Sequence, residues 1–359
     1  MLKKGLFTKG TVLGFSILLL FTLLAGCSGT AVTPANTTPV QVQIKDMAGR
    51  KVTIPSNVKR ILALHPIPSY ILYRLAPDKV VSKDTVFEAR YLGKDLLKVY
   101  SDADREKLSK LPTTGVYFKG LDPEQLLQLK PDVIITMTKD PKINDLATKV
   151  NLPIMAVSKD TMADYAETMQ LIGKIVDNET DANKLADYWQ KTIDEVKSKA
   201  SSIPSDKRVK VFFSGASSVL TTPGAQTIMA SIVEIAGGDN VAKGLTGNQT
   251  DESLSVSLEQ ILKWNPEVII VGTQKSKDQI TSDSAWQDIT AVKTNKVYVQ
   301  SRYASLDGIT ALMGLTWLEG RLYSNDSEFN TYFENKMKEF YSLFQNYQIT
   351  PDQIKEVAK

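Results

Sequence analysis

The chain has 359 residues, 43 Lys and Arg against 40 Asp and Glu, and a formal net charge of +3. This lacks the basic excess that nucleic-acid binding calls for, and no Lys/Arg block is interleaved with aromatic residues. One cysteine and one histidine exclude an intrachain disulfide, a Cys/His metal cage built by the protein itself, and the commonest nucleophile and base pairs.

Residues 1–26 begin Met1-Leu2-Lys3-Lys4, continue through an apolar run over 12–24 and close on Ala25 and Gly26. That is the layout of a signal peptide. The run is broken by Gly14 and Ser16 and ends at small residues, whereas a membrane-spanning helix needs ~20 mostly apolar residues. Leu24-Ala25-Gly26-Cys27 resembles the bacterial lipobox, which implies a lipid on Cys27 and an anchor at the extracytoplasmic face of the cell membrane. Residues 27–39 are too poor in large apolar groups to bury a core and are expected to be a flexible tether.

The body starts near Val40. Its roughly 320 residues exceed what one core normally holds, so two domains are expected. Segments 41–46 and 51–54 predict an opening hairpin. Buried strands are expected at 60–64, 79–81, 153–157, 209–213 and 296–299.

The most informative feature is a segment that occurs twice, as Asp122-Pro-Glu-Gln-Leu-Leu-Gln-Leu-Lys-Pro-Asp-Val-Ile-Ile135 and as Ser257-Leu-Glu-Gln-Ile-Leu-Lys-Trp-Asn-Pro-Glu-Val-Ile-Ile270, with seven of fourteen positions identical. Asp122 and Ser257 are suited to cap a helix, Gln125 and Gln260 to complete a capping box, and Pro123 to the first helical position. Pro131 and Pro266 stop each helix, and Val-Ile-Ile follows as a strand buried on both faces. A helix feeding a buried strand, seen twice, implies two α/β lobes of similar plan, 40–179 and 204–359. Between them, Ala182, Leu185, Ala186, Trp189, Ile193 and Val196 make one apolar stripe, which predicts a linking helix over 180–203.

With these features in place, the chain resembles the helical-backbone class of ABC-importer substrate-binding proteins, which bind ferric siderophores, haem, cobalamin and related metal chelates. The resemblance runs over 42–345. It is carried also by Asp46-Met-Ala-Gly-Arg-Lys-Val-Thr-Ile-Pro55, Val58-Lys-Arg-Ile-Leu-Ala-Leu64, Ala236-Gly-Gly-Asp-Asn-Val-Ala242, Trp286-Gln-Asp-Ile-Thr-Ala-Val-Lys293 and Gly314-Leu-Thr-Trp-Leu318. It implies two Rossmann-like α/β lobes joined by a single long helix, with the ligand cleft between them. It also implies a monomer that binds a small-molecule metal chelate, first of all an iron(III)-siderophore, and delivers it to a permease dimer with its ATPase subunits. Corrinoid or haem in the same role is the alternative cargo. Rivals of another class are an extracellular sensor subunit and a secreted hydrolase; the missing phosphate loop, paired histidines and Gly-x-Ser-x-Gly elbow favour a non-enzyme without a cofactor.

Glu124 and Glu259 fall at the second position of the two repeated helices, where a carboxylate is favourable by ~0.3–1 kcal/mol without any function. Both match the pair of glutamates that in the family sit one per lobe and dock onto the permease. His65 follows the first buried strand, and ligands of open α/β sheets bind beyond the carboxyl ends of strands. It is therefore a cleft candidate, able to coordinate a metal carried by the ligand. Further candidates are Tyr117, Phe118, Met137, Thr222, Gln274, Arg302 and Tyr303, aromatic rings with an arginine being suited to a planar or catecholate-bearing anion. Segment 87–112, which includes Arg90, is expected to be a helical insertion bordering the cleft.

Overall fold

Each of the repeated segments folds as a short helix that turns directly into a strand buried along its whole length. In the computed structural model, which describes residues 40–92, 100–215, 218–248, 253–323 and 326–358, the helices are Pro123–Gln128 and Leu258–Trp264 and the strands Val133–Met137 and Val268–Val271. The expected signal peptide, Cys27 and the expected tether lie outside the described residues.

The likeness between the copies extends beyond their sequence. Lys130 and Asn265 both take the left-handed conformation, with φ of 47° and 45°, so each helix ends in the same turn before its proline. The acidic residue after the proline then caps the first strand of its own lobe. Asp132 Oδ2 accepts from the Lys59 and Arg60 N–H groups at 2.7 and 2.9 Å, and Glu267 Oε2 accepts from Lys210 N–H at 3.0 Å. The capping box is realised only in part. Asp122 accepts from Glu124 N–H and Ser257 from Gln260 N–H, but Gln125 turns away to donate to the Thr113 carbonyl at 2.9 Å.

Two parallel sheets result. In the first, Ile61–Ala63 pairs with Val133–Met137, which pairs with Ile154–Val157; the strand expected at 79–81 is reduced to a bridge between Val80 and Ile61. In the second, Lys210–Phe213 lies between Asp239–Asn240 and Val268–Val271, with Val297–Val299 beyond. In chain order within each lobe, both sheets read 2-1-3-4. The hairpin Gln41–Lys45 and Lys51–Pro55 is fastened to the first sheet through Asp46, whose carboxylate accepts from Arg50 and from Ala156 N–H.

The linking helix is Glu179–Ser201, and every residue of its predicted stripe is buried. Trp189 stacks on Tyr165 with centroids 4.7 Å apart and planes 7° from parallel, and its Nε1 donates to the Met162 carbonyl at 2.6 Å. The preceding helix Met162–Val176 lies so close that a Cβ on Gly173 would fall 2.2 Å from Ala182 Cβ. The helix is not the only tie between the lobes. One continuous cluster of buried side chains runs from Ile61 and Tyr70 through Trp189 to Phe213, Trp317 and Phe344. The helix Asp326–Gln345 closes back on the first lobe, where Arg74 Nε donates to the Leu343 carbonyl at 2.7 Å. The core therefore stiffens the linkage more than a lone strut would. Among the described residues no helix is long and apolar enough to cross a membrane.

Candidate functional site

His65 stands where the first strand of the first sheet ends, and it caps the helix Pro66–Leu75: its Nδ1 accepts from Ile67 N–H at 3.2 Å. Opposite it, Gly115 and Gly120 pinch a tight turn. A Cβ on Gly115 would fall 2.0 Å from the Gly120 carbonyl oxygen, so only glycine allows the approach. Tyr117 N–H donates to the Leu64 carbonyl at 2.9 Å, which ties the turn to the strand that carries His65. Tyr117 and Phe118 thereby come to 5.9 Å from the imidazole, centroid to centroid.

These three residues line a cavity of about 350 Å³ together with Arg90, Lys159 and Asp307. Lys159 lies just beyond the strand Ile154–Val157, and Asp307 and Gly308 come from the second lobe, beyond the strand Val297–Val299. The cavity is thus enclosed by both lobes at the carboxyl ends of their strands, as ligand sites of open α/β sheets are. Lys159 Nζ reaches across to Asp307 Oδ1 at 3.8 Å. Arg90, on the turn Glu88–Leu92 of the insertion, brings Nη1 to 3.5 Å from where a Cβ on Gly308 would stand, ordinary contact distance.

The described side chains that line the cavity carry a net positive charge. Among the described residues two cations face one carboxylate, and His65 is held neutral, its pKa pushed down to about 3 by burial first and then by Lys159, with Asp307 opposing and Arg90 adding a smaller lowering effect. A neutral imidazole whose Nδ1 accepts a hydrogen bond carries its proton on Nε2. In this arrangement His65 offers the cavity a donor, and coordination of a ligand-borne metal through Nε2 would require giving up the helix cap. Among the described residues no group of three Asp, Glu, His or Cys side chains is arranged to hold a metal ion.

The remaining cleft candidates are not brought to this cavity. Met137 is the last residue of its strand and points into the core. Thr222 is buried in the short pairing with Leu254, and Gln274 is exposed on the helix Gln274–Ser282, where it donates to Asp278. Arg302 forms an ion pair with Glu356 of the C-terminal helix at 3.3 Å, and Tyr303 is buried with its carbonyl accepting from Tyr341 Oη at 2.9 Å. The residues that reading the sequence missed are Lys159 and Asp307; the rule about strand ends pointed to both loops but not to these side chains.

Glu124 and Glu259 are both exposed at the first turns of the repeated helices. Neither carboxylate is paired with a cation among the described residues.

Residues 61–303 match the periplasmic binding protein family. The molybdate-binding protein MolA of Haemophilus influenzae is 25% identical over 336 residues, which cover 86% of this chain and 92% of that protein. Its molybdate-bound structure superimposes with a TM-score of 0.71 over 87% of this chain and 100% of the other. The ABC transporter substrate-binding lipoprotein YvrC of Bacillus subtilis, itself uncharacterised, is 24% identical over 79% of this chain and 87% of its own length. An ABC transporter solute-binding protein from Sulfurospirillum deleyianum shares the fold at a TM-score of 0.75 and 24% identity, covering 88% and 98% of the two chains. With two-lobed parallel α/β architecture, an interlobe cavity and these relatives, the chain belongs to the periplasmic binding protein family, as a substrate-binding component of the ABC-importer kind and not an enzyme.

Proposed function

We propose that this chain captures a compact anionic solute, an oxyanion or a small anionic metal chelate, and hands it to a permease dimer powered by ATPase subunits. The observation that carries the reading is the convergence of Arg90, Lys159 and the donor face of neutral His65 on one interlobe cavity with, among the described residues, a single opposing carboxylate. Charge-assisted hydrogen bonds of this kind are the strong ones, and a buried, water-poor site strengthens them. MolA, a relative that binds molybdate, supports an oxyanion as the solute class. At about 350 Å³ the cavity lies at the small end of the ~300–1,000 Å³ typical of ligand sites, which disfavours a corrinoid or haem. A ferric catecholate fits the charge and, in part, the aromatic walls of Tyr117 and Phe118.

In this reading the loaded protein is a monomer held at the membrane through lipidated Cys27. Glu124 and Glu259, one per lobe and 135 residues apart, seat it on the two permease subunits, the symmetric anions speeding encounter.

The test is calorimetric titration of the full-length chain with molybdate, sulfate, a ferric tris-catecholate and cobalamin. One of the anions is expected to saturate at one site, with at least about tenfold weaker binding in Arg90→Ala and in Lys159→Ala. Saturable binding of cobalamin with none of any anion would overturn the reading.

A further inference from the structure

Arg90 reaches the cleft without a bond of its own. Among the described residues no hydrogen bond or ion pair holds its guanidinium, and the side chain is exposed. Its place in the cavity is therefore set by the backbone of the turn Glu88–Leu92. That turn is fastened from several sides. Glu88 Oε2 accepts from Thr113 Oγ1 at 2.8 Å, Glu88 Oε1 lies 3.7 Å from Nζ of the buried Lys83, and the Leu92 carbonyl accepts from Arg105 Nη2 at 3.1 Å. Lys83 and Thr113 are themselves partners in the short parallel pairing of Lys83–Asp84 with Thr113–Thr114.

The deepest fastening is Asp84, which is fully buried. Its two carboxylate oxygens take partners on different elements. Oδ1 accepts from Phe87 N–H at 2.7 Å, capping the short helix Thr85–Phe87 that leads to Arg90, and Oδ2 accepts from Ser69 Oγ at 2.6 Å. Ser69 lies on the helix Pro66–Leu75 that His65 caps, between Ile67 and Tyr70, which line the cavity; Val86 and Arg90 line it from the segment on the other side of Asp84. A carboxylate is costly to bury even when bonded, and a serine would serve to cap the helix. Reach to a second element is what the carboxylate adds.

We infer that Asp84 is a positioning residue for solute capture: by bonding Ser69 and Phe87 together it fixes the segment that carries Arg90 against the helix capped by His65. This role rests on Arg90 binding the solute anion. A turn already in place spares the protein the freedom that a loose arginine-bearing segment would lose on binding.

Calorimetric titration of the full-length chain with sodium molybdate and with a ferric tris-catecholate, over the double-mutant cycle of Asp84→Ala with Arg90→Ala, provides the test. Asp84→Ala is expected to weaken binding of the anion that saturates the wild type by about three- to tenfold. The same loss is expected in the Lys159→Ala background and no further loss in the Arg90→Ala background, where nothing is left to position. Asp84→Asn, whose Oδ1 can accept from Phe87 N–H and whose Nδ2 can donate to Ser69 Oγ, should stay within about twofold of the wild type. Ser69→Ala removes only the bond between the two elements and should weaken binding by about threefold; it decides the matter where Asp84→Ala does not fold. Full affinity in Asp84→Ala or in Ser69→Ala, an equal further loss in the Arg90→Ala background, or a loss in Asp84→Asn as large as in Asp84→Ala would overturn the role of Asp84 and leave the anion site standing. No saturation by either anion, or full affinity in Arg90→Ala, would overturn the reading of the cleft and this role with it.

Discussion

Replacing Asp307 with asparagine tests the charge logic of the cleft at the one carboxylate that, among the described residues, faces its cations. Asp307 Oδ1 stands 3.8 Å from Lys159 Nζ, and the two side chains are 35% and 19% exposed. An anion bonded to Lys159 at a charge-assisted distance of ~2.8 Å would lie no more than about 7 Å from the carboxylate. Repulsion over that separation is about 0.6 kcal/mol at a dielectric constant of ~80 and about 2.4 kcal/mol at ~20. Against this stands the loss of a partly exposed ion pair that ties the two lobes, worth about 0.2–1 kcal/mol. The balance is a gain of about 1 kcal/mol, or roughly fivefold tighter anion binding. Calorimetric titration with sodium molybdate at low and high salt provides the assay, and the gain should shrink as salt screens the partly exposed carboxylate. If Asp307→Asn instead binds molybdate fivefold more weakly, the carboxylate serves the solute through a shared donor or cation, and the reasoning about an anion site fails.

Other consequences can be checked directly. His65 titrates near 3 in the folded chain and near its ordinary 6.5 once unfolded, so between those values the unfolded state binds the extra proton and stability falls as pH falls. Between pH 7 and pH 5 the wild type should lose about 2 kcal/mol more stability than His65→Asn, which keeps a helix-capping side chain but cannot titrate; equal pH dependence in urea denaturation would contradict the buried neutral imidazole. Gly173→Ala would place a Cβ 2.2 Å from Ala182 Cβ and should destabilise the protein by about 1–3 kcal/mol in the same assay, by forcing the linking helix away from its neighbour. Reversing both charges proposed to dock the permease, Glu124→Lys with Glu259→Lys, should abolish solute uptake by cells while leaving molybdate affinity unchanged; a parallel loss of affinity would make these residues structural.

The parts of the molecule that were legible in the sequence are those written in local signals. The repeated helix and strand announce themselves through a capping residue, a proline and an unbroken Val-Ile-Ile run, and the linking helix through the 3.6-residue spacing of its stripe. His65, Tyr117 and Phe118 were reachable because a residue just past a buried strand, or on a turn tied to it, must lie at the edge where ligands bind. The same rule misdirected the reading of Arg302 and Tyr303. They also follow a strand, but Arg302 stays exposed in its ion pair with Glu356, and Tyr303 is buried with its carbonyl accepting from Tyr341. Met137 illustrates a second limit: its strand is buried on both faces, so even the last residue of the strand packs into the core and does not reach the cavity.

The sequence by itself determined the two-lobed plan, the linking helix and the two exposed glutamates, because each depends on residues within a turn or two of one another. Only the tertiary structure decided the chemistry of the cleft. Arg90, Lys159 and Asp307 belong to three loops distant in the chain, and a charge there reads as a solvated side chain until both sheets are folded and apposed across the shared core.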